Sequence, residues 1–283
     1  MEEGVPSRTA YGVALRRAAH QLLDRPLVLE DPVALAIVGP RGLEAIRARA
    51  GRFQGPGGRG LRASLVARSR CAEDALARVV AEGTRQYVVL GAGLDTFACR
   101  NPHAAAGLRV FEADHPATQA WKRRLLEQAA IQIPPELTFV PVDFERQSLP
   151  DALGAAGFEP REPAFCSWLG VTMYLSREAV LHTLAFVASL APGSGIAFDY
   201  TVPPGSLPFL ERLRNHALRS RVARAGEPWR TDFEPADLHR ELGALGFTRI
   251  EDLAGPELNA RYFADRADGL KLGRAAHVLV AWR

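Results

Sequence analysis

Two periods of apolar positions alternate along this chain. Short unbroken runs such as Tyr87-Val88-Val89-Leu90 and Ala164-Phe165-Cys166 place apolar residues at successive positions. That is the pattern of strands buried on both faces of a parallel sheet. Seven segments are predicted as strands, at 87–90, 109–114, 137–144, 164–175 with its following turn, 195–200, 248–253 and 277–282. Between them the spacing changes to that of amphipathic helices. Residues 7–23 carry Ala10, Val13, Ala14, Ala18 and Leu22 on one face, with Ser7 or Thr9 as cap. A second helix starts at Asp31-Pro32, acid at the cap and proline in the first turn. Further helices are predicted over 61–82, 117–130, from Ser176 to Leu190, over 207–225 and over 235–245. Trp121 and Leu125 should pack inward and Lys122-Arg123-Arg124 should be solvated. Gln54-Gly55-Pro56-Gly57-Gly58-Arg59-Gly60 reads as a mobile loop, and it lacks the Lys-Ser/Thr of a phosphate loop. Strands alternating with helices predict an α/β fold with a mostly parallel sheet.

The first strand ends in Gly91-Ala92-Gly93. Without a Cβ, Gly91 and Gly93 let the chain turn sharply and let a ligand approach the backbone. A helix is expected after this turn. The next strand ends in acid, Glu112-Ala113-Asp114, about twenty residues past the glycines, where nucleotide-binding α/β folds place a carboxylate on ribose hydroxyls. The bland reading is a tight strand-to-helix turn. The third glycine of the dinucleotide fingerprint is replaced by Thr96, which favours a nucleoside ligand with no pyrophosphate to cradle.

Leu90-Gly91-Ala92-Gly93-Leu94-Asp95-Thr96, followed by Phe111-Glu112-Ala113-Asp114-His115-Pro116, resembles the leucine carboxyl methyltransferase superfamily. Within it the chain is most similar to the bacterial S-adenosylmethionine-dependent O-methyltransferases of polyketide and related secondary metabolism. The resemblance runs from about residue 7 to residue 266. It implies a Rossmann-like class I methyltransferase: a central, mostly parallel seven-stranded sheet with helices on both faces and an N-terminal helical lid. Residues 1–283 would form a single domain, with the lid over 1–60, the core over 61–283 and a helical insertion near 205–235.

The resemblance also implies site residues. Gly91, Ala92 and Gly93 would carry the cofactor, with Asp114 on its ribose and His115 beside it. Arg68 would clamp the methionyl carboxylate, since guanidinium matches a carboxylate bidentately; alternatively Arg68 and Arg70 only pair with Glu73 or Asp74 across a helical turn. Asp143 would accept from the adenine amino group, with Phe144 offering an amide and an apolar surface; as a plain turn or cap, Asp143 would do neither. Trp168 and Leu169 would complete the cofactor side, within a Trp168–Tyr174 segment expected to line the crevice. The protein-methylating branch tends to have Glu at Leu169, so this chain departs from it there. Arg8, Thr9 and Tyr11 would face the site from the lid. Tyr11, Tyr174 and Trp229 are the candidates for substrate contact.

The expected chemistry is in-line methyl transfer from a sulfonium to a hydroxyl or carboxyl oxygen. A carboxylate or ionised phenol needs no base, whereas an aliphatic alcohol does. His115, Tyr11 and Tyr200 are the candidate catalytic residues, with Tyr174 and His216 comparable or weaker. Gly-x-Ser-x-Gly and His-Glu-x-x-His are both missing, and Glu112 with Asp114 suits hydroxyl binding better than hydrolysis.

Composition changes little. The 283 residues are 47% hydrophobic and 24% charged with a net charge of +3, too mild and too dispersed for a nucleic-acid footprint. Cys71, Cys99 and Cys166 form neither a zinc spacing nor an even disulfide set, so no metal is expected. The acidic Met1-Glu2-Glu3-Gly4-Val5-Pro6 stretch is unlike a signal peptide, and no run is long enough to span a bilayer. These features point to a cytoplasmic protein, monomer or homodimer, acting on a small-molecule acceptor without nucleic acid or membrane. Two rivals remain open: an oxidoreductase using the same crevice, and a non-catalytic S-adenosylmethionine-binding protein.

Overall fold

The computed structural model describes residues 8–144, 146–224 and 226–283. Ser7, one of the two expected caps of the first helix, lies outside the described residues, as do the 1–6 segment, Ala225 and the side chain of Arg8. Seven strands form one sheet: β1 (Gln86–Leu90), β2 (Arg109–Asp114), β3 (Leu137–Pro141), β4 (Ala164–Trp168), β5 (Gly195–Thr201), β6 (Arg249–Leu253) and β7 (Ala276–Trp282). Their order is β3-β2-β1-β4-β5-β7-β6. The first five run parallel, and β7 lies antiparallel between β5 and β6. The order reverses between β1 and β4, so a crevice opens at the carboxyl ends of those strands, where α/β sheets bind ligands.

Eleven helices surround the sheet among the described residues. The N-terminal group is α1 (Arg8–Leu23), α2 (Pro32–Ile37), α3 (Gly39–Ala48), α4 (Ala50–Gln54) and the long α5 (Pro56–Ala81). Next come α6 (Pro116–Gln128), α7 (Leu149–Ala155), α8 (Arg177–Ser189), α9 (Phe209–Arg224), α10 (Pro235–Leu245) and α11 (Gly255–Tyr262). Alternate strand residues feed two cores. Tyr87, Val89 and Phe165 join α5 on one face, and Val88, Leu90, Cys166 and Trp168 join α7, α8 and α10 on the other. A third cluster, with Ala14, Ala18, Ile37 and Ile46, holds α1–α3 together and reaches Leu94 after the glycine turn. The cysteines are free. Among the described residues, no helix is long and apolar enough to cross a membrane.

Three sequence expectations are corrected here. The glycine-rich 54–60 segment is not a loop, because α5 starts at Pro56 and includes Gly57, Gly58 and Gly60. A Cβ on Gly58 would stand 2.2 Å from the Arg52 carbonyl oxygen, so this glycine lets α4 and α5 meet closely instead of adding mobility. No α-helix follows the Gly91–Gly93 turn; the chain goes through a short 3-10 turn, Phe97–Arg100, because Asp95 and Thr96 are held by side-chain bonds described below. Lys122 is not solvated. It is 1% exposed and its Nζ lies 2.5 Å from Glu112 Oε2. Glu112, 1% exposed, therefore faces α6 and not the crevice. Trp121 and Leu125 do pack inward, half-buried.

Removing one member of a buried ion pair leaves an uncompensated charge, a loss of about 3–5 kcal/mol, whereas replacing both with apolar residues is often nearly neutral. Lys122→Met should lower the urea unfolding free energy by about that much, and Glu112→Leu/Lys122→Met should recover most of it. Equal losses in the single and double variants would contradict this account.

Candidate active site

One cleft of about 570 Å³ opens over the carboxyl ends of β1, β2 and β4, within the size range of small-molecule sites. Its floor is the turn after β1. Gly91 (φ 64°) and Gly93 (φ 51°) are both in the left-handed region. A Cβ on Gly91 would come within 2.5 Å of Val171 from the turn after β4, and one on Gly93 would press on Ala10 of α1 at 3.3 Å. The glycines therefore bring two other walls of the cleft against the turn.

At the end of β2, Asp114 is gripped by backbone amides. Gly93 N–H donates to Oδ2, and His115 N–H donates to Oδ1 at 2.6 Å. Burial pushes the Asp114 carboxyl above the usual range, while these two amides favour its charged form. His115 caps α6, its Nδ1 accepting from Ala117 N–H at 3.2 Å. It lines the cleft with Asp114, Asp143 and Phe144. Asp143 also takes part in a turn: Gln147 N–H donates to its carbonyl at 2.8 Å, and its own N–H donates to Gln147 Oε1.

Arg68, on α5, lines the same cleft, but its partner is neither Glu73 nor Asp74. Its Nη1 donates to Asp199 Oδ2 at 2.7 Å, while Gly170 N–H donates to Asp199 Oδ1 at 2.5 Å. Arg70 instead takes Asp74. Asp199, 3% exposed in the centre of β5, thus fixes both Arg68 and the turn after β4. Sequence reasoning missed it, although a carboxylate inside the apolar run Ile196-Ala197-Phe198-Asp199-Tyr200 was the available signal, since a buried charge has to be paired.

The Asp95-Thr96 pair does structural work at the cleft's edge. Arg17 of α1 donates to Asp95 Oδ2 at 2.7 Å and to Thr96 Oγ1 at 3.0 Å, and it pairs with the fully buried Asp31 at 2.7 Å. Thr96 Oγ1 in turn donates to Asp31 Oδ2. Asp31 also accepts from Ala34 N–H as the cap of α2. The N-terminal helices are in this way tied by charge to the glycine turn.

Of the expected site residues, Gly91, Ala92, Gly93, Arg68 and Leu169 come together in the cleft with the Asp114–Phe144 set. Tyr174 and Trp229 line it too, as does Thr9, which donates to Glu227. Burial pushes the Tyr174 phenol up. Three expectations are corrected. Trp168 does not line the cleft; it is fully buried on the opposite face of the sheet, because Ser167 and Leu169 take the cleft side of the alternating strand end. Tyr11 turns away, its hydroxyl donating to Val38 O and its ring 6.0 Å from Trp121. Tyr200 is also on the far face, where its hydroxyl donates to Asp252 beside His277. Neither tyrosine reaches the cleft. His216 does not line the cleft either; it is exposed on α9. Among the described residues, no group of His, Cys, Asp and Glu side chains is arranged to hold a metal ion.

Known proteins resemble this chain in sequence and in fold. The family model for leucine carboxyl methyltransferase matches residues 10–188. YktD of Bacillus subtilis (strain 168), which carries the name of an S-adenosyl-L-methionine-dependent methyltransferase, is 31% identical over 99% of both chains. FRAAL3718 of Frankia alni, named in the same way, is 35% identical over 76% of this chain and 74% of its own. Among solved structures, a protein from Thermobifida fusca YX described as a methyltransferase aligns with 100% of this chain and 96% of its own, at a TM-score of 0.58 and 19% identity. This last likeness establishes a shared fold.

Burial pushes the Asp95 carboxyl up, but the charges of Arg17, Lys122 and Arg100 and the Phe97 amide outweigh it and bring it down from 3.8 to about 2. A carboxylate lowered in the folded state contributes stability above its unfolded value and loses it as pH falls through the folded one. Hydrogen-exchange protection over residues 8–54, referred to the intrinsic rate at each pH, should therefore fall between pH 3.8 and about 2. In Arg17→Met the loss of protection should begin at higher pH, and urea stability should fall by roughly 3–5 kcal/mol, because Asp31 loses its buried partner. Coincident acid profiles in the two proteins would refute the coupling.

Proposed function

The chain belongs to the leucine carboxyl methyltransferase family and is an S-adenosylmethionine-dependent methyltransferase, and we propose that it methylates an oxygen of a small molecule of the polyketide or related secondary-metabolite type, in the cytoplasm. The observation that carries the siting of this activity is Asp114. A carboxylate oriented by two backbone amides at the end of β2, beside a turn with no Cβ atoms, fits a ribose diol. S-adenosylmethionine supplies, when bound, an activated methyl group on a sulfonium.

This chain's residues would hold and align the two reactants. Asp114 would accept from the ribose, and the Gly91–Gly93 backbone would allow close approach. Arg68, oriented by Asp199, would present its remaining guanidinium donors to the methionyl carboxylate. Asp143 and Phe144 would meet the adenine, and Leu169 would flank it. On the acceptor side, Tyr174 and Trp229 would contact the substrate. The N-terminal helices would act as a lid that excludes water, with proximity and alignment as the main contribution to rate.

The groups lining the cleft favour an acceptor that needs no base. Glu73 is bound to Arg100, Asp95 to Arg17, Asp143 to Arg146, Glu227 accepts from Thr9, and Asp114 is held by two amides. The His115 Nδ1 is occupied by its cap, and Tyr174, raised by burial, remains a phenol. A carboxylate or an ionised phenol fits this set better than an aliphatic alcohol.

Calorimetric titration with S-adenosylhomocysteine should give micromolar binding. Asp114→Ala, checked for folding by urea unfolding, should weaken it by about 1–3 kcal/mol for a lost charged hydrogen bond. Unchanged affinity in Asp114→Ala would remove the ribose assignment.

A further inference from the structure

Three arginines converge on the helical wall of the cleft from separate elements: Arg16 from α1, Arg52 from α4 and Arg221 from α9. Among the described residues none of the three is paired with a carboxylate. The side chain of Arg16 donates to the Gly12 carbonyl at 2.7 Å. This sets them apart from Arg17 and Arg68 of the same cleft, whose counter-charges lie within 2.7 Å. Burial lowers the Arg16 guanidinium first, then the charges of Arg52, Arg221 and Arg62 push the same way, to about 10. Arg62 is itself satisfied by Asp24 at 2.6 Å. Like charges gathered in a partly desolvated wall repel one another, and an anion that enters between them relieves that repulsion.

We propose that Arg16, Arg52 and Arg221 form a subsite for an oxyanion of the acceptor, a carboxylate or phosphate distinct from the oxygen that is methylated. The inference rests on the methyltransferase reading of this cleft and adds a substrate class: an apolar body with an acidic handle. Leu61, Leu65, Leu218 and Val222 supply apolar surface in the same cleft. Chemistry separates the handle from the reacting oxygen. Guanidinium groups clamped on the nucleophilic oxygen would draw electron density from it and repel a cationic methyl donor, whereas on a remote group they only orient the acceptor.

The test uses protein saturated with S-adenosylhomocysteine and three probes of one shape: 2-naphthoate, 2-naphthyl phosphate and neutral 2-naphthalenemethanol. Calorimetry should show one or both anions binding on the order of tenfold more tightly than the alcohol, with the margin shrinking as salt rises; the better anion identifies the handle. Arg52→Gln/Arg221→Gln, two exposed positions, should abolish the margin and leave S-adenosylhomocysteine affinity unchanged. The proposal is overturned by equal binding of acid and alcohol, by no binding of any probe at millimolar concentration, or by a margin that survives the double substitution. Loss of S-adenosylhomocysteine binding in the double variant would also overturn it, by assigning these arginines to the cofactor. Failure of the cofactor reading is seen separately, as no S-adenosylhomocysteine binding to the unsubstituted protein.

Discussion

A fully buried guanidinium must find its counter-charges inside the protein, and Arg17 is where this chain meets that demand. Its partners come from two places: Asp31 at the start of α2, and Asp95 and Thr96 just past the glycine turn. Removing either carboxylate would leave charge stranded in a poorly solvated site. The ion cluster therefore links two things that hydrophobic packing alone would join only loosely, the N-terminal helices and the strand ends. The third apolar cluster, which includes Leu94, reinforces the same seam. The cleft exists because its roof and floor are held in register by this contact.

The rest of the cleft follows from what the sheet can offer at its switch point. Strands β1 and β4 are parallel neighbours, but the connections that follow them leave toward opposite edges of the sheet, so the chain diverges above their ends. The divergence would be filled by side chains if Gly91 or Gly93 carried one, since Val171 and Ala10 already occupy the adjacent space. Asp199 does for the β4 side what Asp95 does for the roof. It spends one carboxylate oxygen on the Gly170 amide and the other on Arg68, so a loop and a long helix share one anchor.

The strands, the glycine turn and Asp114 were legible in the sequence because each depends on local chemistry: an apolar run, a missing Cβ, an acid at a strand end. The strand alternation was legible as well, but its phase was not. Trp168 and Tyr200 sit one residue away from cleft-lining or anchoring neighbours and point through the other face of the sheet, and periodicity alone does not say which face carries the ligand. Lys122 was read as solvated from its place in a basic triplet, whereas Glu112, ten residues earlier, pulls it inside. Gly57, Gly58 and Gly60 looked like a loop by composition, yet helix packing overrode propensity where α4 and α5 needed to touch. The Arg17 cluster joins residues up to 79 positions apart, and nothing local announces it.

Charge inside the cleft is divided, and the division bears on the chemistry. Asp95 and Asp114 stand by the strand ends, where the methyl donor is proposed to lie, while Arg16, Arg52 and Arg221 stand on the helical wall. A sulfonium is positive, and its reaction with an anionic oxygen cancels charge as the new bond forms. Carboxylates near the donor hold that cation without consuming its methyl group, because each is already engaged by amides or by arginine. Had the arginines been at the strand ends instead, the same net charge would oppose binding of the donor and deactivate the acceptor. The placement of charge, more than any single base, is therefore what would suit this cleft to the proposed transfer of a methyl group to oxygen.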